Sequence, residues 1–151
     1  MRLVIQRSLS SFVKVDNKIV GSINNGLVIL VGFTYGDDEI VIDKMVDKVL
    51  NLRIFDDENG VMNKSILDLN YEILSISQFT LYADTKKGRR PSYINALSGD
   101  LASKLYDSFN LKLSKYVNVS KGIFGSDMKV SILNDGPVTI VIESGDIIAK
   151  K

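Results

Sequence analysis

The stretch Leu27-Val28-Ile29-Leu30-Val31 decides the fold of this chain of 151 residues. Every position in it is apolar, and three of the five residues are β-branched. An apolar run of this length, with no polar position to face water, is typical of a strand that is buried on both faces. We therefore predict that residues 27–31 form the central strand of a sheet.

Shorter strand patterns lie on both sides of this run in the sequence. Leu3–Gln6 and Ser11–Val15 are strand-like, and the pair Asp16-Asn17 predicts a tight hairpin return into Lys18–Val20. Further strands are predicted over residues 71–82, 128–132 and 138–142.

Two segments have the apolar period of an amphipathic helix. The first follows an acidic trio, residues 37–39, which suits a helix N-terminus through capping and the macrodipole. Its apolar residues recur at i, i+3, i+4 and i+7 from Ile42. The second helix opens at Ser98-Gly99-Asp100. Its predicted apolar stripe consists of Leu101, Ala102, Leu105, Tyr106 and Phe109.

Strands interleaved with two helices and joined by short turns are typical of an α+β domain. We predict a strongly curved, barrel-like and mainly antiparallel β-sheet with two amphipathic helices, because closure of a sheet removes its exposed edges. The length of the chain fits one domain. We predict this domain over residues 1–144, with residues 145–151 as a C-terminal tail.

The composition excludes several kinds of chemistry. The chain has no histidine and no cysteine, which excludes a Ser-His-Asp triad, a Cys-His dyad and the usual zinc ligand sets. We expect no metal, no cofactor and a reducing compartment such as the cytoplasm. A net charge of +1 argues against a strongly basic DNA-binding protein, so we expect no DNA partner. The longest apolar run is far too short to span a bilayer, so we expect no membrane partner either.

The segment Ser77-Gln78-Phe79-Thr80 is one candidate for chemistry that uses hydroxyls or main-chain donors. On a strand, period-2 geometry would send Ser77 and Phe79 to one face and Gln78 and Thr80 to the other. The alternative is that these are ordinary strand residues with local hydrogen bonds.

A second candidate is the corner Gly136-Pro137, which separates two strand-like runs. Most X-Pro bonds in folded proteins are trans, so a trans turn is the simpler interpretation. A cis bond costs only about 0.5 to 1 kcal/mol, so surrounding hydrogen bonds could hold it.

A basic cluster, residues 86–90, lies shortly after the first candidate. It consists of Lys86, Lys87, Arg89 and Arg90. It is either a solvated turn or a contact for phosphate groups.

Several separated motifs together resemble the D-aminoacyl-tRNA deacylase family. They are Ser77-Gln78-Phe79-Thr80-Leu81, Lys87-Gly88-Arg89-Arg90-Pro91-Ser92-Tyr93, Gly122-Ile123-Phe124-Gly125-Ser126-Asp127-Met128 and Asn134-Asp135-Gly136-Pro137-Val138-Thr139. They occur in the family's order, and the similarity runs from Met1 to about Ser144.

The resemblance implies an enzyme that hydrolyses the ester between a D-amino acid, or glycine, and the 3′-terminal adenosine of tRNA. It also implies a homodimer with aminoacylated tRNA as partner, and a cis Gly136-Pro137 bond whose carbonyls reach into the other subunit's pocket. Arg7 matches an arginine that braces this corner. Ser77 to Thr80 match the catalytic segment, and the basic cluster would then contact tRNA.

In this interpretation the N–H groups of Phe79 and Thr80 stabilise an oxyanion, and the 2′-OH of the terminal ribose helps to activate water. A Thr80 nucleophile is the alternative within the family, although no base is visible to deprotonate it. Two further hypotheses stay open. One is a Thr80-dependent hydrolase of small esters or peptides, and the other is a non-catalytic module that binds the end of tRNA.

Overall fold

The computed structural model describes residues 1–148. Its strands are β1 (Arg2–Ser8), β2 (Ser11–Val15), β3 (Lys18–Ile23), β4 (Gly26–Gly32), β5 (Phe55–Asp56), β6 (Met62–Lys64), β7 (Glu72–Ser77), β8 (Val119–Lys121), β9 (Lys129–Ser131) and β10 (Asn134–Glu143). Its helices are α1 (Glu39–Asn51), α2 (Ile66–Leu69), α3 (Gly99–Ser114) and α4 (Ser144–Ile147), with a 3₁₀ turn over Phe79–Tyr82.

β4 lies in the middle of a five-stranded sheet of order β10-β1-β4-β7-β8, which confirms the predicted central strand. It pairs antiparallel with β1 on one side and parallel with β7 on the other. Leu27, Ile29 and Val31 contribute to the core under the helices, whereas Val28 belongs to a second core on the opposite face. Both faces of β4 are therefore buried, which explains its unbroken apolar sequence.

The domain has three layers. Helices α1 and α3 pack on one face of the five-stranded sheet, and a three-stranded antiparallel sheet of order β3-β2-β9 packs on the other. The predicted hairpin return at Asp16-Asn17 is confirmed, since both residues adopt positive φ angles, 50° and 64°, between β2 and β3.

The α+β class is confirmed, but the barrel-like closure is not. The five-stranded sheet is open and ends at β10 and β8. It is also mixed, because β4, β7 and β8 run parallel to one another. Parallel neighbours need long crossover connections, which contain α1 between β4 and β7 and α3 between β7 and β8.

The two predicted amphipathic helices are confirmed as α1 and α3. The Asp38 side chain caps α1 by accepting a hydrogen bond from Val41 N–H at 2.9 Å. In α3, Tyr106 and Phe109 are buried as predicted, but Leu101 is 53% exposed and lies outside the buried stripe. No helix within residues 1–148 is long and apolar enough to cross a membrane.

The predicted long strand over residues 71–82 is wrong in its second half. β7 ends at Ser77, and the chain then tightens into the 3₁₀ turn. Leu81 N–H donates to the Gln78 carbonyl at 3.3 Å and Ala83 N–H donates to the Thr80 carbonyl at 3.0 Å. These bonds span three residues, as in a 3₁₀ helix.

The boundary of the domain at residue 144 stays a prediction. Gly145 to Ile147 of the predicted tail lie within α4. Residues 149–151 lie outside the described part of the chain.

Gly26, at the start of β4, provides a test of this packing. A Cβ at this position would lie 1.7 Å from the carbonyl oxygen of Glu72, and the φ of Gly26 is 155°. We expect Gly26→Ala to lower the free energy of unfolding by about 3 kcal/mol, because the backbone of β7 would have to move. Urea denaturation measures the change.

The matched control is Gly99→Ala. A Cβ there would meet no atom within 4 Å, and alanine favours a helix, so we expect no loss of stability. Equal unfolding midpoints for the two variants would contradict the close approach of β4 and β7.

Candidate functional site

A cavity of about 570 Å³ opens at the carboxyl ends of β4 and β7. Parallel strands end at the same edge of a sheet, so the segments that follow them meet there. The lining comes from these strand ends, the 3₁₀ turn, the start of α3 and the loop before β9. The lining residues are Val31, Phe33, Ile76, Ser77, Gln78, Phe79, Tyr93, Ala96, Leu97, Gly99, Ala102, Phe124, Gly125, Ser126, Asp127, Met128 and Val130.

The first predicted catalytic segment lies at this cavity. Ser77, Gln78 and Phe79 line it, whereas Thr80 does not. The Thr80 hydroxyl instead accepts a hydrogen bond from the Gln78 side-chain amide. The predicted alternation of faces does not apply here, since only Ser77 belongs to the strand.

The 3₁₀ turn begins at the cavity with Phe79. Gln78 N–H donates to the Val31 carbonyl at 2.8 Å, which ends the pairing of β7 with β4. Over residues 1–148, the N–H groups of Phe79 and Thr80 have no main-chain acceptor outside the turn. The first N–H groups of a helical turn have no partner within it. Both groups therefore remain available to a ligand.

The side chains around the cavity offer no free base. Within the described residues the only carboxylate in the lining is Asp127, which is exposed and paired with Lys129 at 2.7 Å. Tyr82 ends the 3₁₀ turn, and burial raises the pKa of its phenol, with Glu143 and Asp37 adding to the shift. Tyr82 is therefore protonated at neutral pH. The available chemistry is stabilisation of negative charge by main-chain donors.

The basic cluster lies on an exposed loop beside the cavity. Asp84 and Ser92 exchange two main-chain hydrogen bonds, of 2.7 and 2.8 Å, and so close the loop at its base. Lys86, Lys87, Arg89 and Arg90 are all exposed. Within the described part of the chain, none of these four cations forms an ion pair.

Two aromatic rings, Phe79 and Tyr93, line the cavity. Phe79 and Tyr93 pack edge to face, with centroids 5.0 Å apart. Phe79 is 57% exposed and Tyr93 is 42% exposed. Exposed ring faces next to free cations suit contact with unpaired nucleotides.

The corner Gly136-Pro137 lies at the start of β10 and is exposed. Its peptide bond is cis, and Gly136 has a φ of 129°, which favours glycine. The Asn134 side chain accepts a hydrogen bond from Val138 N–H at 3.0 Å and so spans the corner.

Arg7, on the neighbouring strand β1, contacts this corner through Asp135. It is 9% exposed. Its guanidinium donates to the main-chain carbonyls of Asp135 at 3.1 Å and Ile54 at 3.0 Å. The Asp56 carboxylate accepts a further bond at 3.3 Å.

Within one chain, the corner and the cavity lie at opposite ends of the five-stranded sheet. Asn134 pairs with Ser8, and Ser8 pairs with Gly26. Ser77 pairs with Val31 at the other end of β4. At about 3.3 Å per residue, the two ends are about 17 Å apart along the strands. The predicted site residues therefore form two separate groups in each chain.

Sequence reasoning did not assign several residues of the cavity to the site. Phe124, Gly125 and Ser126 belong to a quoted motif, but no role was predicted for them. Ala102 was placed in the core stripe of α3, although it also lines the cavity. An apolar stripe carries no signal that separates core packing from a cavity wall.

Comparisons with known proteins agree on one family. The family model for D-Tyr-tRNA(Tyr) deacylase matches residues 4–143. A D-aminoacyl-tRNA deacylase from Clostridium tetani is 56% identical over 145 residues, which cover 95% of this chain and 97% of that protein.

Two solved structures share the fold. One is of a c-Myc DNA Unwinding Element Binding Protein, with a TM-score of 0.90 and 39% identity over 95% of this chain and 98% of that one. The other is of a probable eukaryotic D-amino acid tRNA deacylase, with a TM-score of 0.80 and 19% identity over 93% and 97% of the two chains. At 19% identity, this second likeness concerns the fold alone.

The role of Arg7 at the corner can be tested by removing its guanidinium. We expect Arg7→Met to lower the free energy of unfolding by about 2 kcal/mol, because the carbonyls of Asp135 and Ile54 lose their donor. Chemical denaturation gives the value. Arg53→Met is the control, since Arg53 is exposed and, within residues 1–148, bonds only to Asn63. We expect a change of less than about 0.5 kcal/mol. A similar loss in both variants would contradict a specific brace.

Proposed function

The chain belongs to the D-Tyr-tRNA(Tyr) deacylase family, and we propose that it hydrolyses the ester between a D-amino acid, or glycine, and the 3′-terminal adenosine of tRNA. The products are the free amino acid and tRNA, so the enzyme is a carboxylic ester hydrolase. One observation carries the mechanism. The 3₁₀ turn that begins at the cavity wall with Phe79 has two main-chain N–H groups without a main-chain acceptor outside the turn, and the described lining residues include no free side-chain base.

The N–H groups of Phe79 and Thr80 form the oxyanion hole in this proposal. Attack on the ester carbonyl places negative charge on its oxygen, and both donors stabilise that charge more than they stabilise the neutral carbonyl. One such donor is typically worth about 2.7 to 4 kcal/mol. An ester is more reactive than an amide, so the site needs no strong base.

The substrate itself supplies the group that activates water. The vicinal 2′-OH of the terminal ribose lies next to the scissile ester and can orient and polarise the attacking water. Thr80 is a weaker candidate, because its hydroxyl accepts a bond from Gln78 and has no neighbouring base to take its proton. Gln78 and Thr80 then hold the shape of the turn, and Ser77 forms the cavity wall.

Chirality is selected by the corner of a second copy of the chain. Gly136 and Pro137 are exposed and lie about 17 Å along the strands from Ser77 of the same chain, so they cannot serve their own cavity. In a homodimer, their carbonyls would accept hydrogen bonds from the substrate ammonium in the partner's cavity. An L-amino acid would direct its side chain against this main chain and be rejected sterically. Arg7 holds the corner in place.

The edge strand β10 supports a homodimer. It is ten residues long and pairs with β1 on one side only. A long strand edge with unpaired N–H and C=O groups invites pairing with another chain. Val141, which is 60% exposed on this strand, adds apolar surface to the edge.

The basic loop holds the acceptor end of the tRNA. Lys86, Lys87, Arg89 and Arg90 are free to contact phosphates, and the Phe79 and Tyr93 rings lie beside the cavity. The reaction takes place in the cytoplasm, where charged tRNA is used.

The source of the activating group can be tested with two changes. We expect Thr80→Ala to keep most of the hydrolysis of D-tyrosyl-tRNA, and a 2′-deoxy terminal adenosine to abolish it, because the RNA supplies the hydroxyl. Single-turnover rates with the amino acid on the 3′ oxygen measure both effects. The opposite pattern, or an acyl group trapped on Thr80 with small esters, would support the Thr80-dependent hydrolase instead.

The basic loop makes a separate prediction. We expect Arg89→Gln with Arg90→Gln to reduce the dependence of log affinity on log salt by about 0.7 for each lost phosphate contact, because each contact releases counterions. The turnover of bound substrate should not change. Salt titrations of binding to uncharged tRNA measure the slope.

The control pair is Lys44→Gln with Lys48→Gln on the exposed face of α1. It removes the same charge at another surface and should leave the slope unchanged. Equal salt slopes for the two double variants would show that the basic loop does not contact the RNA. Binding without any turnover in the wild-type protein would favour a non-catalytic module.

A further inference from the structure

Strand β7 extends beyond its neighbour β8. The last pair between them is Ser75 with Lys121, whereas β7 continues to Ser77. On its other side β7 stays paired with β4 up to Ser77. The residues that lead into the catalytic turn therefore have a strand partner on one side only.

The hydroxyl of Tyr106 lies beside the last ladder bond between β7 and the chain that leaves β8. It donates a hydrogen bond to the Ser75 carbonyl at 2.7 Å, and the same carbonyl accepts from Gly122 N–H at 3.2 Å as the chain leaves β8. Tyr106 is 2% exposed. Burial raises the pKa of its phenol.

In a parallel ladder, each bonded residue of the neighbouring strand makes two hydrogen bonds. Its carbonyl accepts from the N–H of one residue, and its N–H donates to the carbonyl of the residue two positions before that one. The Tyr106 hydroxyl, with one donor and two acceptor sites, can make both bonds. We propose that Tyr106 is a positioning residue. Its hydroxyl holds the Ser75 carbonyl beside the last ladder bond and replaces the missing strand as the acceptor for Ser77 N–H. It so fixes the direction in which the turn presents the N–H groups of Phe79 and Thr80. This role rests on the proposed function.

Two further observations support a role beyond packing. The Tyr106 ring lies 5.9 Å from that of Phe124, which lines the cavity, so Tyr106 contacts the cavity wall as well as the strand. The side chains of Ser75 and Asn110 are buried beside it, and among the described residues they hold the only buried side-chain polar atoms without a partner. Buried polar atoms without a hydrogen-bond partner lower the stability of the fold. Apolar side chains at these positions would avoid this cost.

The test compares Tyr106→Phe, which removes one oxygen atom, with Phe109→Leu. Phe109 is fully buried one turn along the same helix, so its variant is a control for lost packing. We expect Tyr106→Phe to lower kcat on D-tyrosyl-tRNA by about tenfold, equivalent to about 1.4 kcal/mol, and to leave KM unchanged. Phe109→Leu should lower the unfolding temperature without changing kcat.

Amide exchange gives a readout that does not depend on catalysis. In the wild-type protein the Ser77 amide should exchange as slowly as the amides paired with β4, and Tyr106→Phe should speed its exchange by about tenfold. Wild-type exchange at Ser77 as fast as in exposed loops would overturn the proposal, even if Tyr106→Phe did not fold. An unchanged kcat and exchange rate in Tyr106→Phe, or an equal loss of kcat in Phe109→Leu, would also overturn it. If the wild-type protein does not hydrolyse the substrate, the proposed function fails, and amide exchange still decides the role of Tyr106.

Discussion

Burial of β4 on both faces is the constraint on which the rest of the structure depends. An apolar strand with no polar face can be satisfied only between two packed layers, which here are the helices and the small three-stranded sheet. Its backbone groups are paired on both edges, by β1 and β7. Gly26 lets β4 approach Glu72 closely enough to start the parallel ladder. The position of β7, and so of the 3₁₀ turn that follows it, depends on this one strand.

The parallel pairing has a chemical consequence. Because β4 and β7 end together, the chain beyond Ser77 must turn at the sheet edge, and a tight turn leaves N–H groups without internal partners. In most proteins such groups are capped by a side chain, but the residue before this turn, Gln78, makes no capping bond and directs its amide to Thr80. A helix start without a cap is a cost to stability. In the proposed mechanism, these uncapped N–H groups bind the developing oxyanion.

The sequence predicted features that depend on local chemistry. Leu27–Val31, the turn at Asp16-Asn17 and the start of α1 each carry their own signal in composition or spacing. The end of β7 carries none, since Phe79 and Thr80 have strong strand propensity and the 3₁₀ turn is imposed by the sheet edge. The predicted closure of the sheet is not confirmed, because the prediction did not take the order of strands and helices into account. The strand–helix–strand order around α1 and α3 favours parallel pairing, which leaves β10 and β8 as open edges.

The site motifs were found through family resemblance, while residues such as Ala102 and Phe124 were missed because a cavity wall and a core have the same apolar composition.

A site that works through main-chain groups places unusual demands on its surroundings. A catalytic side chain can adjust its rotamer, but the direction of a main-chain N–H is set by the backbone. The packing that fixes the backbone therefore determines how well the N–H is oriented. The same reasoning applies at the other end of the sheet, where Arg7 and Asn134 hold the corner by bonds to main-chain atoms. Arg7 is buried and lies outside the cavity lining. In the proposed homodimer, the Gly136-Pro137 corner of one chain would meet the cavity of the other chain. The register of β1 with β4 sets the distance between the corner and the cavity within each chain. A shift in that register would move the two functions apart, which is a physical reason for the strand to be as rigidly buried as it is.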